Sequence, residues 1–168
     1  MCFEGCRDFD IVGELTPITA GLKLDLRDIV DIGVQWKEKN PDELRPIWLS
    51  HFEMMQEISS IKYRRTIIPE DAVSLEIETL DFGDASKSIA CVAIYARIKR
   101  LSGSYSCQLV FARSKLLGKD ETPPRGELVA CTLNTYTGEV VKRSFVDLHK
   151  GAIKLSESTV ALHWINNG

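Results

Sequence analysis

The spacing of hydrophobic residues divides the chain into a helical first part and a second part that begins with strands. In residues 20–36, apolar side chains recur at the three- and four-residue spacing of a helix. A second helix is predicted after Asn40-Pro41, with Asn as N-cap and Pro at the first helical position, and its apolar face extends over residues 44–61. Pro46 should kink its first turn or delay the regular helix to Arg45 and beyond.

Around Val73 the pattern changes from helical spacing to the alternation of polar and apolar residues that is typical of strands. We predict strands at residues 74–80, 88–100 and 105–114, the last with Cys107, Leu109 and Phe111 on one side. The stretch from Leu80 to Ser86 is interpreted as the end of a buried strand followed by a short turn that carries Asp84.

The last third of the chain combines helices with one further strand. A helix is expected from about Pro124 to Tyr136, where Gly138 would interrupt or end it unless it continues to Val146. A short strand at residues 151–155 and a final helix at residues 159–165 follow. The order is two helices and then β-β-β-α-β-α, which predicts an α/β fold: three antiparallel strands, a crossover helix, a further strand, and helices packed on the sheet.

Composition and charge narrow the class of protein. The chain of 168 residues is 44% hydrophobic and 27% charged, values typical of a soluble globular domain. No apolar run is long enough to cross a bilayer, and the first ten residues do not resemble a secretory signal, so we expect an intracellular protein of the cytoplasm or nucleus. The net charge of −3 gives no overall attraction to nucleic acid.

The five cysteines include Cys2 and Cys6, which form half of a zinc-binding pattern. Because the second half of that pattern is missing, free thiols are favoured.

Three acids lie at positions where elements begin or end. Asp84 follows a strand, Glu127 opens a helix, and Glu157 stands between a strand and a helix. Each has an ordinary structural explanation: Asp84 could cap a turn, Glu127 could complement the helix dipole, and Glu157 could be a helix-entry acid. Together they form the order in which a ribonuclease H-like fold supplies metal-binding carboxylates.

Blocks around these acids resemble the ribonuclease H region of Bel/Pao-type retrotransposon polyproteins. The family blocks read like F-S-D-A-S, P-R-x-E-L and T-D-S-T-V-V-L-H-W-I. The corresponding segments here are Phe82-Gly83-Asp84-Ala85-Ser86, Pro124-Arg125-Gly126-Glu127-Leu128 and Ser156-Glu157-Ser158-Thr159-Val160-Ala161-Leu162-His163-Trp164-Ile165. Upstream, residues 9–19 resemble the block that follows the polymerase palm in that lineage, and Trp36, Pro41-Asp42-Glu43-Leu44 and Trp48-Leu49 fit its helical connection segment.

The resemblance implies a ribonuclease H-like domain at residues 74–168, preceded by a helical connection segment at residues 1–73. It implies hydrolysis of the RNA strand of RNA–DNA hybrids, with Asp84, Glu127 and Glu157 as catalytic ligands of Mg²⁺ or Mn²⁺. The implied partners are the hybrid and the reverse-transcriptase portion of the same polyprotein, with no membrane. An exposed sheet edge would also allow self-association. The substrate-binding residues implied by the same blocks are Ser86, Arg125 and Ser158.

Three departures from the family pattern lead us to expect weak or lost activity. Glu157 stands where the family has aspartate, and its extra methylene moves the carboxylate by roughly 1 Å, which can cost about a hundredfold in rate. Gly126 replaces a usual leucine, and Gly138 is a further weak helix former in the same helix. The sequence ends at Gly168, before the family's last strand, last helix and fourth carboxylate.

Two other classes of function remain open. A non-catalytic remnant could serve as a nucleic-acid-binding or protein-binding module. An aspartic peptidase ranks last, because that chemistry needs an Asp-Thr-Gly or Asp-Ser-Gly loop and Asp84 is followed by Ala85-Ser86.

Overall fold

A computed structural model of the chain describes residues 10, 12–35, 37–58, 62, 64 and 66–167. Two helices precede a four-stranded sheet with two further helices, so the predicted order of elements and the mixed α/β class are confirmed. A short 3-10 turn, Asp42–Leu44, lies before α2. The elements are α1 (Thr16–Ile32), α2 (Arg45–Ile58), β1 (Ile77–Ala85), β2 (Ile89–Lys99), β3 (Tyr105–Leu116), α3 (Pro123–Ser144), β4 (His149–Leu155) and α4 (Thr159–Asn167).

The sheet has the strand order β3-β2-β1-β4. β2 pairs antiparallel with both β1 and β3, whereas β4 pairs parallel with β1, in a register that places Phe82 beside Leu155. β4 pairs parallel with β1, so the chain must cross over the sheet between β3 and β4. α3 forms this crossover. The carboxyl ends of β1 and β4 therefore lie at the same edge of the sheet.

α3 packs closely against β1 because β1 presents small or fully buried side chains to it. Alternate β1 residues from Ile77 to Gly83 are buried, and a Cβ on Gly83 would lie 2.9 Å from Asn134 Cβ and 3.1 Å from the Ala130 carbonyl oxygen. The Asn134 side chain donates a hydrogen bond to the backbone carbonyl of Asp81 at 2.9 Å. The apolar core lies on the same face of the sheet, under α3 and the segments at residues 67–72 and 145–148. Its buried members include Val92, Ile94, Leu133 and Val141, then Ile77, Ala96 and Ile98, then Ala90, Leu117 and Ala130.

The predicted turn at Asp84 is wrong, because β1 continues to Ala85 and Asp84 is paired with Cys91 of β2.

The predicted orientation of the β3 side chains is also wrong. A bulge opposite Ile94 and Tyr95 shifts the register, so that the neighbours Val110 and Phe111 both pack on the core while Cys107 is exposed. An extra residue in one strand reverses which side chains face inward, and the alternating pattern gives no sign of it.

α3 continues without interruption through Gly138 and ends at Ser144. This agrees with the longer of the two predicted helices, which continued to Val146. Gly138 faces Asp81: a Cβ there would lie 2.6 Å from Asp81 Oδ2 and 2.9 Å from Lys154 Nζ. The packing of the helix on the sheet therefore outweighs the low helix propensity of glycine at this position.

α1 begins at Thr16 and ends at Ile32, four residues earlier at each end than predicted. The early start follows from Asp10, whose carboxylate accepts hydrogen bonds from the backbone N–H groups of three consecutive residues, Gly13, Glu14 and Leu15. The end follows from Gly33, which has φ of +84°. Of the predicted apolar face, Ile29 is buried but Val30 is 65% exposed.

α2 confirms the expected influence of Pro46, since the regular helix starts at Arg45 after the 3-10 turn. The expected cap is wrong: Pro41 holds the N-cap position, and none of the described side chains caps the turn. Ile61 and Trp36, predicted members of the two helices, lie outside the described residues. None of the described helices combines the length and the apolar character that crossing a membrane would require.

A candidate carboxylate site at the ends of the parallel strands

The three predicted acids are delivered by three different elements to one edge of the sheet. Asp84 is the last residue but one of β1, and Glu157 follows the end of β4 by two residues. Continuing the parallel register of Phe82 and Leu155 by two residues brings Asp84 level with Glu157. Glu127 stands in the first turns of α3, which lie against the same end of β1.

Gly126 allows α3 to begin close to the end of β1. It is buried, and a Cβ at this position would lie 2.9 Å from Leu117 Cδ1 and 3.7 Å from Ala85 Cβ. A larger side chain would require the buried Leu117 side chain to shift or the first turn of α3 to move. Glycine in place of the usual leucine therefore fits the packing around Leu117.

The charges of Asp84 and Glu157 act on the Glu127 carboxyl group. The pKa of Glu127 is raised, first by burial and then by the negative charges of Asp84 and Glu157. The backbone N–H of Ala85, which donates to Asp84 Oδ1 at 2.7 Å, lowers the pKa of Glu127, and hydrogen bonding with Asp84 raises it further. Glu127 Oε2 is buried without a hydrogen-bond partner in the described part of the chain. Like charges held together in this way favour a proton or a cation between them.

Replacing Glu127 with glutamine should make the metal-free protein more stable at pH 7. Since the folded-state pKa of Glu127 is raised, its contribution to stability is present at low pH and is lost as pH rises through the unfolded and then the folded pKa. The gain from Glu127→Gln should therefore vanish below about pH 4. Thermal unfolding in EDTA at pH 7 and at a pH below about 4 measures the difference in stability between Glu127→Gln and the wild type.

The matched control is Glu139→Gln. Glu139 is exposed on the same helix and pairs with Lys142 at 3.8 Å, so its loss should give no gain at pH 7. A Glu127→Gln protein that is no more stable than the wild type at pH 7 would show that the three acids do not repel one another.

The donor chemistry of the three acids suits a hard divalent cation. Carboxylate oxygens are the ligands that Mg²⁺ and Mn²⁺ take up, and Glu127 Oε2 is a buried oxygen that lacks a donor among the residues that the structure describes. As the side chains stand, no three His, Cys, Asp or Glu groups of the described residues are close enough to hold a metal ion. Asp84 and Glu157 are both exposed, so their side chains have room to turn toward Glu127.

The predicted substrate-binding residues surround the same edge. Arg125 is exposed in the first turn of α3. Ser86 lies in the turn between β1 and β2, where its backbone N–H donates to the Ile89 carbonyl at 2.9 Å. Ser158 caps α4, since its Oγ accepts a hydrogen bond from the Ala161 N–H at 3.2 Å. Both serines thus have a structural role, and their contact with substrate stays a prediction.

Asp81, the acid nearest to Asp84 in sequence, points to the opposite face. It is fully buried under α3, and Lys154 Nζ lies 3.6 Å from its Oδ2. Its two carboxylate oxygens have no hydrogen-bond donor among the described residues. The three-residue spacing along β1 explains the separation, because side chains an odd number of positions apart face opposite sides of a strand.

A neighbour that the sequence did not predict is Lys23 of α1. Its Nζ donates to the backbone carbonyl of Ser114 at 3.0 Å and to Ser114 Oγ at 2.9 Å. Ser114 is paired through Cys91 to Asp84, so α1 reaches the same face and end of the sheet. The sequence carries no local signal for this contact, which joins residues 91 positions apart.

Comparison with known proteins gave one family. A family model described as the Pao retrotransposon-like RNaseH-like domain matches residues 4–155, which include Asp84 and Glu127 and end two residues before Glu157. A search of curated proteins found no match. The strand order β3-β2-β1-β4, with β4 parallel to β1 and α3 as the crossover, agrees with a ribonuclease H-like fold. The chain therefore belongs to the Pao retrotransposon-like RNaseH-like domain family.

Proposed function

We propose that the carboxylate site hydrolyses the RNA strand of RNA–DNA hybrids with Mg²⁺ or Mn²⁺ held by Asp84, Glu127 and Glu157. The observation that carries the proposal is the placement of the three acids near the end of β1, in the first turns of α3 and directly after β4, with Asp84 level with Glu157 in the parallel register. The raised pKa of Glu127, to which the charges of both other acids contribute, agrees with this placement. Acids that approach one another from a strand, a helix and a loop cost stability, and a site that binds cations offers a reason for keeping them there. Membership of a ribonuclease H-like family supports the nucleic-acid substrate.

Each residue has a distinct role in this proposal. Divalent cations held there would supply an activated water and stabilise the leaving oxygen of the phosphodiester. The Ala85 N–H holds the Asp84 carboxylate at 2.7 Å, and the buried Glu127 oxygen, which has no donor among the described residues, would be a ligand of the cation. Arg125 would contact a phosphate from the first turn of α3. The hybrid would be recognised by groove shape, phosphates and 2′-hydroxyls rather than by sequence.

We expect turnover to be slow. The Glu157 side chain is exposed and is longer than the family's aspartate, so its carboxylate must be placed by a flexible side chain. A misplacement of roughly 1 Å can cost about a hundredfold in rate.

The second candidate is a binding module without catalysis, and the exposed apolar surface around β4 favours it. Phe82, Ile153 and Leu155 are 41%, 44% and 38% exposed on the face of the sheet opposite α3. β4 is an edge strand of the described sheet, so the reverse-transcriptase portion of a polyprotein or a second copy of the chain could pair with it.

Incubation with an end-labelled RNA strand separates the two candidates. The RNA is offered in an RNA–DNA hybrid, in an RNA duplex and as a single strand, with Mg²⁺, with Mn²⁺ and with EDTA. The nuclease proposal predicts cleavage of the hybrid alone, and no cleavage in EDTA. An intact hybrid that is nevertheless bound would favour the binding module. A hybrid that is neither cut nor bound would contradict both nucleic-acid roles.

A further inference from the structure

A row of paired residues crosses the sheet beside the carboxylate site. Asp84 of β1 lies opposite Cys91 of β2, and Cys91 lies opposite Ser114 of β3. Residues opposite each other in antiparallel strands point to the same face, with Cα atoms about 4.5–5.5 Å apart. Ser114 and Asp84 are therefore separated by two such steps, about 10 Å, on the face opposite α3.

Lys23 is held over the far end of this row. Its ammonium group donates two hydrogen bonds to Ser114, one to Oγ at 2.9 Å and one to the carbonyl oxygen at 3.0 Å. An ammonium has three donors, so one remains for another acceptor. Within the described ranges, no carboxylate lies within salt-bridge distance of Lys23, in contrast to Lys39, Lys119 and Lys150. Lys23 is thus a positive charge held in place without a salt-bridge partner among the described carboxylates.

The charges of Lys23 and Asp84 act on the same group between them. Burial raises the pKa of the Cys91 thiol, the positive charge of Lys23 lowers it, and the negative charge of Asp84 raises it. The thiol therefore lies within the field of both side chains, as the register requires.

Arg27 follows Lys23 by one helical turn and points to the same end of the sheet. Its Nη1 donates to the Leu117 carbonyl at 3.2 Å. The Leu117 side chain in turn packs against Gly126, next to Glu127. α1 therefore places two cations, one turn apart, along the side of the carboxylate site that faces β3.

We propose that Lys23, with Arg27 beside it, forms a binding subsite for a backbone phosphate of the nucleic acid that enters the carboxylate site. The inference rests on the proposed function and assigns α1 a role beyond connecting two parts of a polyprotein. The three acids repel a phosphodiester, and a cation held at Ser114, two strands away from Asp84, holds a neighbouring phosphate without neutralising the acids themselves. Ser114 is the positioning residue, because it orients the ammonium group.

Salt dependence of hybrid binding tests the subsite. Binding of a fluorescent RNA–DNA hybrid is measured with Ca²⁺ in place of Mg²⁺, over a series of salt concentrations, for wild type, Lys23→Gln and Lys39→Gln. Loss of one phosphate contact should reduce the slope of log affinity against log salt by about one. Lys39→Gln makes the same change in charge at an exposed residue that pairs with Asp42, and its slope should equal that of the wild type.

The outcomes separate this inference from the proposed function. A wild type that binds the hybrid and a Lys23→Gln protein with an unchanged slope would overturn the subsite and leave the nuclease proposal standing. A wild type that does not bind the hybrid would overturn both.

A measurement on the wild type covers the case in which Lys23→Gln fails to fold. An amine-reactive reagent is applied with and without the hybrid, and modification of each lysine is quantified by mass spectrometry. The subsite predicts that the hybrid slows modification of Lys23 severalfold and leaves Lys39 unaffected. Equal rates at Lys23 with and without bound hybrid would overturn the proposal.

Discussion

Replacing Asp84 with asparagine should reduce cleavage of an RNA–DNA hybrid at least about a hundredfold, which is the loss that a 1 Å misplacement in an active site can already cause. Asparagine keeps the oxygen that accepts the Ala85 N–H but removes the charge that a divalent cation requires. The side chain is exposed, so the change in the free energy of unfolding should stay within about 0.5 kcal/mol. Single-turnover cleavage with Mn²⁺ measures the loss, and thermal unfolding measures the stability.

Asp120→Asn is the matched control for this variant. Asp120 is also exposed but lies in the loop before α3, and its replacement should leave the cleavage rate unchanged. Equal rates for Asp84→Asn and the wild type would show that the cleavage does not depend on this acid.

Replacing Gly83 with valine should lower the free energy of unfolding by about 3 kcal/mol, the upper part of the range for overpacked cores. Even a single Cβ at this position would lie 2.9 Å from Asn134 Cβ and 3.1 Å from the Ala130 carbonyl oxygen. The second contact is with helix backbone, so α3 itself must move away from β1. In a domain of this size the melting temperature should fall by about 10 °C.

Gly151→Val provides the comparison, because a Cβ at Gly151 meets no atom of the described residues within 4 Å although the residue also lies in a strand. Its melting temperature should stay close to that of the wild type. Since Glu127 is carried by α3, Gly83→Val should also impair any hybrid cleavage, whereas Gly151→Val should not. Equal melting temperatures for the two variants would contradict the close approach of α3 to β1.

Much of the architecture could be predicted from the sequence, because local patterns determine it. The change of period near Val73 and the position of Pro46 led to the correct order of elements and to the correct start of the regular part of α2. Boundaries failed where specific side-chain and strand contacts decide them. Asp10 starts α1 early, and pairing with β2 extends β1 through Asp84, although both segments contain turn-forming residues.

The candidate site was predicted through its block resemblance, and the structure adds what a pattern cannot contain. The mutual effect of Glu127 and Asp84 depends on the approach of α3 that Gly83 and Gly126 permit. The sequence indicated Gly126 only as a departure from the family's leucine, and Gly83 carried no signal of its own. The contact between Lys23 and Ser114 joins distant segments, and nothing in either segment indicates it.

Titration with Mn²⁺, followed by NMR, tests most directly whether the three acids form one cation site. The paramagnetic ion should broaden the signals of residues around Asp84, Glu127 and Glu157 together, at the same low concentration, and leave residues beside Asp81 on the other face less affected. Asp84→Asn should weaken the broadening at all three positions. Broadening that spreads evenly over exposed acids, or that persists unchanged in Asp84→Asn, would contradict a shared cation site.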